Sequence, residues 1–284
     1  MRLDAYLSKN YPGFSRSAWA EYIKAGYVEV DKKMITNTSF TNFTNDSVFS
    51  INIPKEVKNK QNFPIIYEDE NLIVINKPAG VLTHSKGTLN DEYTVSDFIL
   101  EQLDKKPKVY NNRFGIVHRL DRATSGILIG AKNDKTLSFL QKQFQDRKVK
   151  KIYQAVVDIT PAGQKILEKN GDNFKIDLPI ARNPKKPSTF SVNPNGKNAI
   201  TDVKVVKKLK NNQVFLELEP LTGRTHQLRV HLVYLGLPIV GDLVYNPKQT
   251  GDRMMLHAYK LEIVIPEHKK KTFKAELPDE FNKY

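Results

Sequence analysis

The chain has 284 residues and no cysteine, and it carries a single tryptophan. Without thiols it forms no disulfide, no thiolate-held zinc centre and no cysteine-ligated iron–sulfur cluster. A chain free of disulfides suits a reducing compartment, and the cytoplasm is the expectation. Long apolar runs are also missing. None approaches the ~20 residues needed to span a bilayer, and the opening M-R-L-D-A-Y-L-S-K-N has no apolar stretch of signal-peptide length. Neither a Walker-type loop nor a G-x-G-x-x-G turn occurs, so the usual glycine-rich cradles for nucleotide phosphates are excluded. Acid is scarce: 31 Asp and Glu face 45 Lys and Arg, a formal net charge of +14. Such an excess is the electrostatic footprint of a nucleic-acid binder, because neutralising phosphates supplies much of the affinity. An anionic membrane surface competes as partner, but no basic amphipathic helix or lipidation signal supports it.

What is present divides in two. Residues 1–57 read as a small α-α-β unit. Leu3, Tyr6 and Leu7 share a helix face, and Trp19, Tyr22 and Ile23 share another. Ser15 is placed to cap that second helix and Gly26 to end it. Strands follow over 27–30 and 48–53, with Asp31, Lys32 and Lys33 as a turn. A polar, charged stretch sets off a linker at 58–63. Residues 64–284 form the larger part. Strands are predicted over 65–67, 72–76, 127–131, 152–158, 200–207, 214–219 and 256–265. Helices are predicted over 95–103, 134–146 and 225–235, with a further short one within 160–173. Strands and helices do not alternate strictly, so the fold class is α+β with a mixed, largely antiparallel sheet. The run Lys269, Lys270, Lys271 reads as a solvated loop.

The most informative segment is H-R-L-D-R-A-T-S-G at 118–126. Asp121 stands among Arg119 and Arg122, and a turn leads into an apolar strand. A carboxylate held by guanidinium groups is fixed in place and kept charged, which suits a nucleophile. An isolated Asp–Arg cluster is more often a surface ion pair. Three further segments change that balance: Y-E-D-E-N-L-I-V-I-N-K-P-A-G-V-L-T-H at 67–84, with its N-K-P-A-G turn at 76–80, K-I-Y-Q-A at 151–155 and P-L-T-G-R-T-H-Q-L-R-V-H at 220–231. In the last, Thr225 can begin a helix that places Thr225 and Arg229 four apart. His226 and His231, five apart, fall on different helix faces, which argues against a metal site.

These segments, in this order, resemble the RluA/RluD family of RNA pseudouridine synthases. R-S-A-W-A-E-Y-I-K-A-G-Y-V-E-V-D at 16–31 resembles the small alpha-L type RNA-binding domain named after a ribosomal small-subunit protein. The resemblance implies that Asp121 is catalytic while the glycosidic bond is broken and the base is rejoined through carbon 5. Whether it attacks the base or the sugar, or acts as a base, stays open. It implies that Arg229 pairs with Asp121, that Leu228 packs beside the target base, and that Tyr153 stacks on it and is a candidate late general base. Arg119 would fill the space of a flipped nucleotide, and Arg224 would meet phosphate or hold its loop. Arg16, Lys24, Lys32 and Lys33 would meet RNA from the small domain. Asp242, Tyr245 and His257 are read as structural. Ala123 departs from relatives that carry a polar residue there. The branch beginning G-R-L-D and continuing into T-N-D fits less well.

The reaction implied is an isomerisation that needs no cofactor and no metal. Ribosomal RNA of the large subunit is the favoured partner, with transfer RNA second. No membrane or obligate protein partner is expected, and the chain is taken as a monomer. Two rivals compete. A non-catalytic RNA-binding or chaperone protein on a synthase scaffold is free to lose Asp121, Tyr153 and Arg229, and all three are present. A hydrolase working through paired carboxylates needs a second acid that the motif does not offer.

Overall fold

Leu3 and Leu7 fall one helical turn apart and are fully buried, which fixes the packed face of the first helix, α1 (Leu3–Asn10). The second, α2 (Arg16–Lys24), opens at Ser15, whose hydroxyl accepts from the Ala18 N–H at 3.2 Å. That is the N-cap bond expected of serine. Gly26, at φ 79°, turns the chain away after it. A short sheet follows: β1 (Val28–Val30) pairs antiparallel with both β2 (Lys33–Met34) and β3 (Phe49–Ile51). Asp31 and Lys32 take left-handed backbone angles in the turn between β1 and β2. Trp19, Ile23 and Val28 close the core with the two leucines.

The structure is a computed structural model that describes residues 1–11, 14–53, 59–85, 92–103, 113–246 and 253–284. The chain forms two compact units, residues 1–62 with 82–116, and residues 63–81 with 117–284. The first unit also holds α3 (Val95–Glu101), where Thr94 and Asp97 cap each other's backbone N–H reciprocally.

The second unit is built on a nine-stranded sheet. In chain order its elements are β4 (Ile65–Glu68), β5 (Leu72–Lys77), β6 (Ser125–Ala131), α4 (Asp134–Gln145), β7 (Lys150–Asp158), α5 (Pro161–Asn170) and β8 (Asn173–Asp177). There follow β9 (Ile180–Arg182), β10 (Phe190–Val192), β11 (Ile200–Lys208), β12 (Gln213–Pro220), α6 (Gln227–Tyr234), β13 (Leu256–Ile265) and β14 (Lys269–Lys274). Spatially the sheet runs β4-β5-β6-β13-β7-β12-β11-β8, with β14 added to β13, while β9 and β10 form a separate pair. Every pairing is antiparallel except β6 with β13. The fold is therefore α+β with a mixed, largely antiparallel sheet. β6 is buried along its whole length, whereas β12 alternates, with Val214, Leu216 and Leu218 inward. These are the patterns of a doubly covered strand and a half-covered one.

β6 and β13 touch over two positions only, Ser125 with His257 and Gly126 with Ala258. Gly126 sits at φ 113°, and a Cβ there would collide with the Ala258 backbone. The glycine that ends the aspartate motif is thus required by close approach of two strands as well as by its backbone angle.

Two sequence expectations are corrected. Residues 269–271 belong to β14, not a loop. Phe273 on that strand is buried while most of its lysines face solvent, so an edge strand looks like a polar run. Thr225 lies outside α6, which begins at Gln227, because His226 adopts a left-handed conformation at φ 57°. The short helix expected within 160–173 is present as α5, and Asn173 already starts β8.

Candidate active site

Asp121 sits on the turn before β6, whose shape is set by the Thr124 N–H donating to the Asp121 carbonyl at 3.1 Å. The N-K-P-A-G turn braces it from behind. The Gly80 N–H donates to the Arg122 carbonyl at 2.8 Å. The buried Lys77 ammonium donates to the carbonyls of Pro78, Val81 and Arg122 at 2.8, 3.0 and 3.3 Å. Burial pushes the Lys77 pKa down to about 7, against the pull of the Asp121 charge.

The guanidinium that meets the Asp121 carboxylate comes from α6, 108 positions along the chain: Arg229 Nη1 lies 3.3 Å from Oδ2. Arg119 makes no such pair and is exposed at the cleft. The expectation that the flanking arginines hold Asp121 is therefore replaced by a long-range pair. Arg229 is itself gripped by Asp242, with Nε to Oδ2 and Nη2 to Oδ1 both at 2.7 Å, the two-pronged geometry of a strong ion pair. Asp242 Oδ1 also accepts from the N–H groups of Val244 and Tyr245. Burial opposes the Arg229 charge, yet the bonds and charge of Asp242, then those of Asp121, outweigh it and raise its pKa. The Arg229 guanidinium lies 4.9 Å from the Tyr245 ring centroid.

His226 completes this cluster. The Phe190 N–H donates to the Tyr245 hydroxyl at 2.9 Å, and that oxygen lies 2.9 Å from His226 Nδ1. His226 Nε2 faces Asp121 Oδ2 at 3.8 Å. Burial lowers the His226 pKa, and the Asp121 charge opposes that. Gln227 anchors the turn before α6. Its Oε1 accepts from the Thr222 hydroxyl and the Arg224 N–H, and its Nε2 donates to the Ile200 carbonyl. His231 uses both ring nitrogens, toward Thr201 and the Leu178 carbonyl.

A cleft of about 910 Å³ opens over Asp121, within the size range of small-molecule sites. Tyr153, Leu228, Arg119 and Arg224 all line it, so with Asp121 three segments far apart in sequence converge there. Leu228 is nearly buried. Burial, reinforced by the Asp121 charge, holds the Tyr153 phenol well above its ordinary pKa. Arg224 is tied to the segment before β11, Nε donating to the Asn198 carbonyl at 2.8 Å. In the first unit, Lys24, Lys32 and Lys33 are exposed, and Arg16 lies 3.3 Å from the buried carboxylate of Asp4. Asp242, Tyr245, His226, Gln227 and Lys77 were not singled out as site residues by sequence reasoning. The signal available was their place in the same ordered segments.

Comparison with known proteins shows the family. The family model described as RNA pseudouridylate synthase matches residues 71–234. The ribosomal large subunit pseudouridine synthase D of Borreliella burgdorferi is 38% identical, over 99% of this chain and 87% of that protein. The protein of the same description from Haemophilus influenzae is 33% identical, over 99% of this chain and 89% of that protein. Among solved structures, human RNA pseudouridylate synthase domain containing 1 superposes with a TM-score of 0.62 at 28% identity, over 76% of this chain and 84% of that one. The chain belongs to the RNA pseudouridylate synthase family, in its RluA/RluD-like superfamily, and is an isomerase. Among the described residues, no helix is long and apolar enough to cross a membrane.

Proposed function

We propose that this chain is an RluA/RluD-type enzyme that isomerises specific uridines of large-subunit ribosomal RNA, with Asp121 as the catalytic carboxylate. The bond from the sugar to uracil N1 breaks, the base turns within the cleft, and a bond to carbon 5 forms. The proton lost from carbon 5 balances the one gained at N1. The observation that carries the reading is the Asp121–Arg229–Asp242 arrangement beside a cleft of nucleotide size. Arg229 holds one oxygen of Asp121 and leaves the other for the substrate.

Tyr153 stacks on the base and, as a phenol, accepts or passes a proton only late in the reaction. Leu228 packs beside the base, Arg119 fills the stack that the flipped uridine leaves, and Arg224 meets backbone phosphate. Residues 1–57 form the alpha-L type RNA-binding domain, offering Arg16, Lys24, Lys32 and Lys33, with 58–63 as linker and 64–284 as catalytic domain. The enzyme works as a monomer in the cytoplasm. The choice of ribosomal RNA rests on the substrate named for the relatives from Borreliella burgdorferi and Haemophilus influenzae.

Carbodiimide-modified reverse transcription tests it. Total RNA from a host lacking such enzymes is treated with wild type and with Asp121→Asn. A new stop in large-subunit ribosomal RNA, present only with wild type, is expected. No stop in any RNA, with binding retained, would sink the proposal.

A further inference from the structure

Lys151 stands two residues before Tyr153 on β7, so the two side chains leave the same face of the strand, and both line the cleft. Among the described residues, no carboxylate lies within ion-pair distance of the Lys151 ammonium and no hydrogen bond is made to it. Glu219, whose charge reaches it, is taken instead by Lys150 at 3.1 Å. Around it the same wall presents Arg147, Lys148 and Lys150, all cations. Lys151 is partly buried, and loss of solvent pulls its pKa down. An ammonium shielded from water and left without an anion is costly to keep, so the site is built for an anion that arrives with the ligand. Uracil and ribose carry no charge. The anion that an RNA brings into such a cleft is its phosphodiester.

We propose that Lys151 binds the phosphate flanking the flipped uridine, and so fixes how far the nucleotide enters beside Tyr153 and Asp121. The inference rests on the synthase reading for taking RNA as the ligand. A charge-assisted contact of this kind is worth roughly tenfold or more in affinity.

The test uses the full chain and a fluorescent oligouridylate of about 12 nucleotides, the length of a typical single-strand site. Binding is followed by anisotropy between about 50 and 200 mM salt. Lys151→Met and Lys151→Gln are expected to weaken binding about tenfold and to flatten the slope of log K against log salt by about 0.7, one single-strand phosphate. Measuring two neutral variants keeps a packing defect in one from deciding the result. Lys151→Arg should retain the slope, and Lys165→Met, on α5 outside the cleft, should change neither quantity. Folded neutral variants that keep the wild-type slope would overturn the proposal, as would an arginine variant that loses it. Flattened slopes in the neutral variants, with a wild type that forms no pseudouridine, would leave the phosphate site standing and remove the synthase reading. An active wild type with unchanged slopes would do the reverse.

Discussion

Asp242 holds Arg229 more closely than Asp121 does: two contacts at 2.7 Å against one at 3.3 Å. The arginine is therefore oriented by Asp242 and lends its remaining edge to Asp121, the carboxylate we propose as catalytic. Asp242→Asn should break a buried pair and leave Arg229 free to swing onto Asp121. The expected loss is about 3 kcal/mol of stability or more. The turnover rate should fall at least tenfold, as when a preorganised charge is displaced. Urea unfolding and single-turnover kinetics on the mapped RNA check both. Unchanged turnover in a folded variant would show that Arg229 needs no such holder.

Tyr153→Phe separates packing from chemistry. Among the described residues the Tyr153 hydroxyl has no hydrogen-bond partner, so its removal should change stability by less than about 0.5 kcal/mol. If the hydroxyl handles a proton, turnover should drop on the order of a hundredfold with little change in KM. A variant as fast as wild type would confine Tyr153 to stacking.

Gly126→Ala should be among the most damaging single-methyl changes in the chain. It places a side chain at φ 113° and drives it into the Ala258 backbone. A cost above about 4 kcal/mol is expected, beyond ordinary core changes. Unfolding midpoints and soluble yield measure it, and a near-native midpoint would refute the strand contact.

A pH dependence follows from His257. Its Nδ1 accepts from the Ser125 hydroxyl at 2.8 Å, that oxygen accepts from Arg253 at 2.6 Å, and its Nε2–H points at the Ala275 carbonyl. Burial lowers its pKa to about 4, and the nearby Arg253 charge adds to that. Between pH 6.5 and 4 the unfolded chain then binds the proton that the fold refuses. Stability from this group is complete above its unfolded value and is lost as pH falls toward 4, about 2 kcal/mol between pH 7 and 5. His118, whose Nε2 accepts from the Ile129 N–H at 3.1 Å and whose pKa burial lowers to about 3, acts in the same direction. Urea midpoints at the two pH values should show wild type losing more than His257→Asn. Equal losses would mean that His257 does not titrate in this way.

Much of the architecture was legible because the central strands advertise themselves. β5, β6 and β7 are apolar runs between turn residues, and β11 to β13 are long enough to show a period. β8 to β10 are short and half-exposed, and β14 is spelled largely in lysine, so period and composition both mislead there. Asp121 and Arg229 were readable as a pair only through the resemblance, since no local pattern links positions 108 apart. Asp242 was read as structural, but its grip on Arg229 was not legible, because one aspartate in G-D-L-V-Y has no partner in its own segment. The left-handed turn at His226, which aims its ring at Asp121, is a tertiary result and leaves no local mark.

The position of β13 in the sheet bears on how the molecule comes into being. This strand lies between β6 and β7, yet it is made after both. Until residues 256–265 leave the ribosome, the two halves of the sheet lack the strand that pairs with both, and Asp121 and Arg229 sit on either side of that gap. Such distant pairing makes for slow closure. A nascent chain can thus expose its basic surfaces to RNA before its cleft is assembled, and the cleft comes together only once β13 has been made.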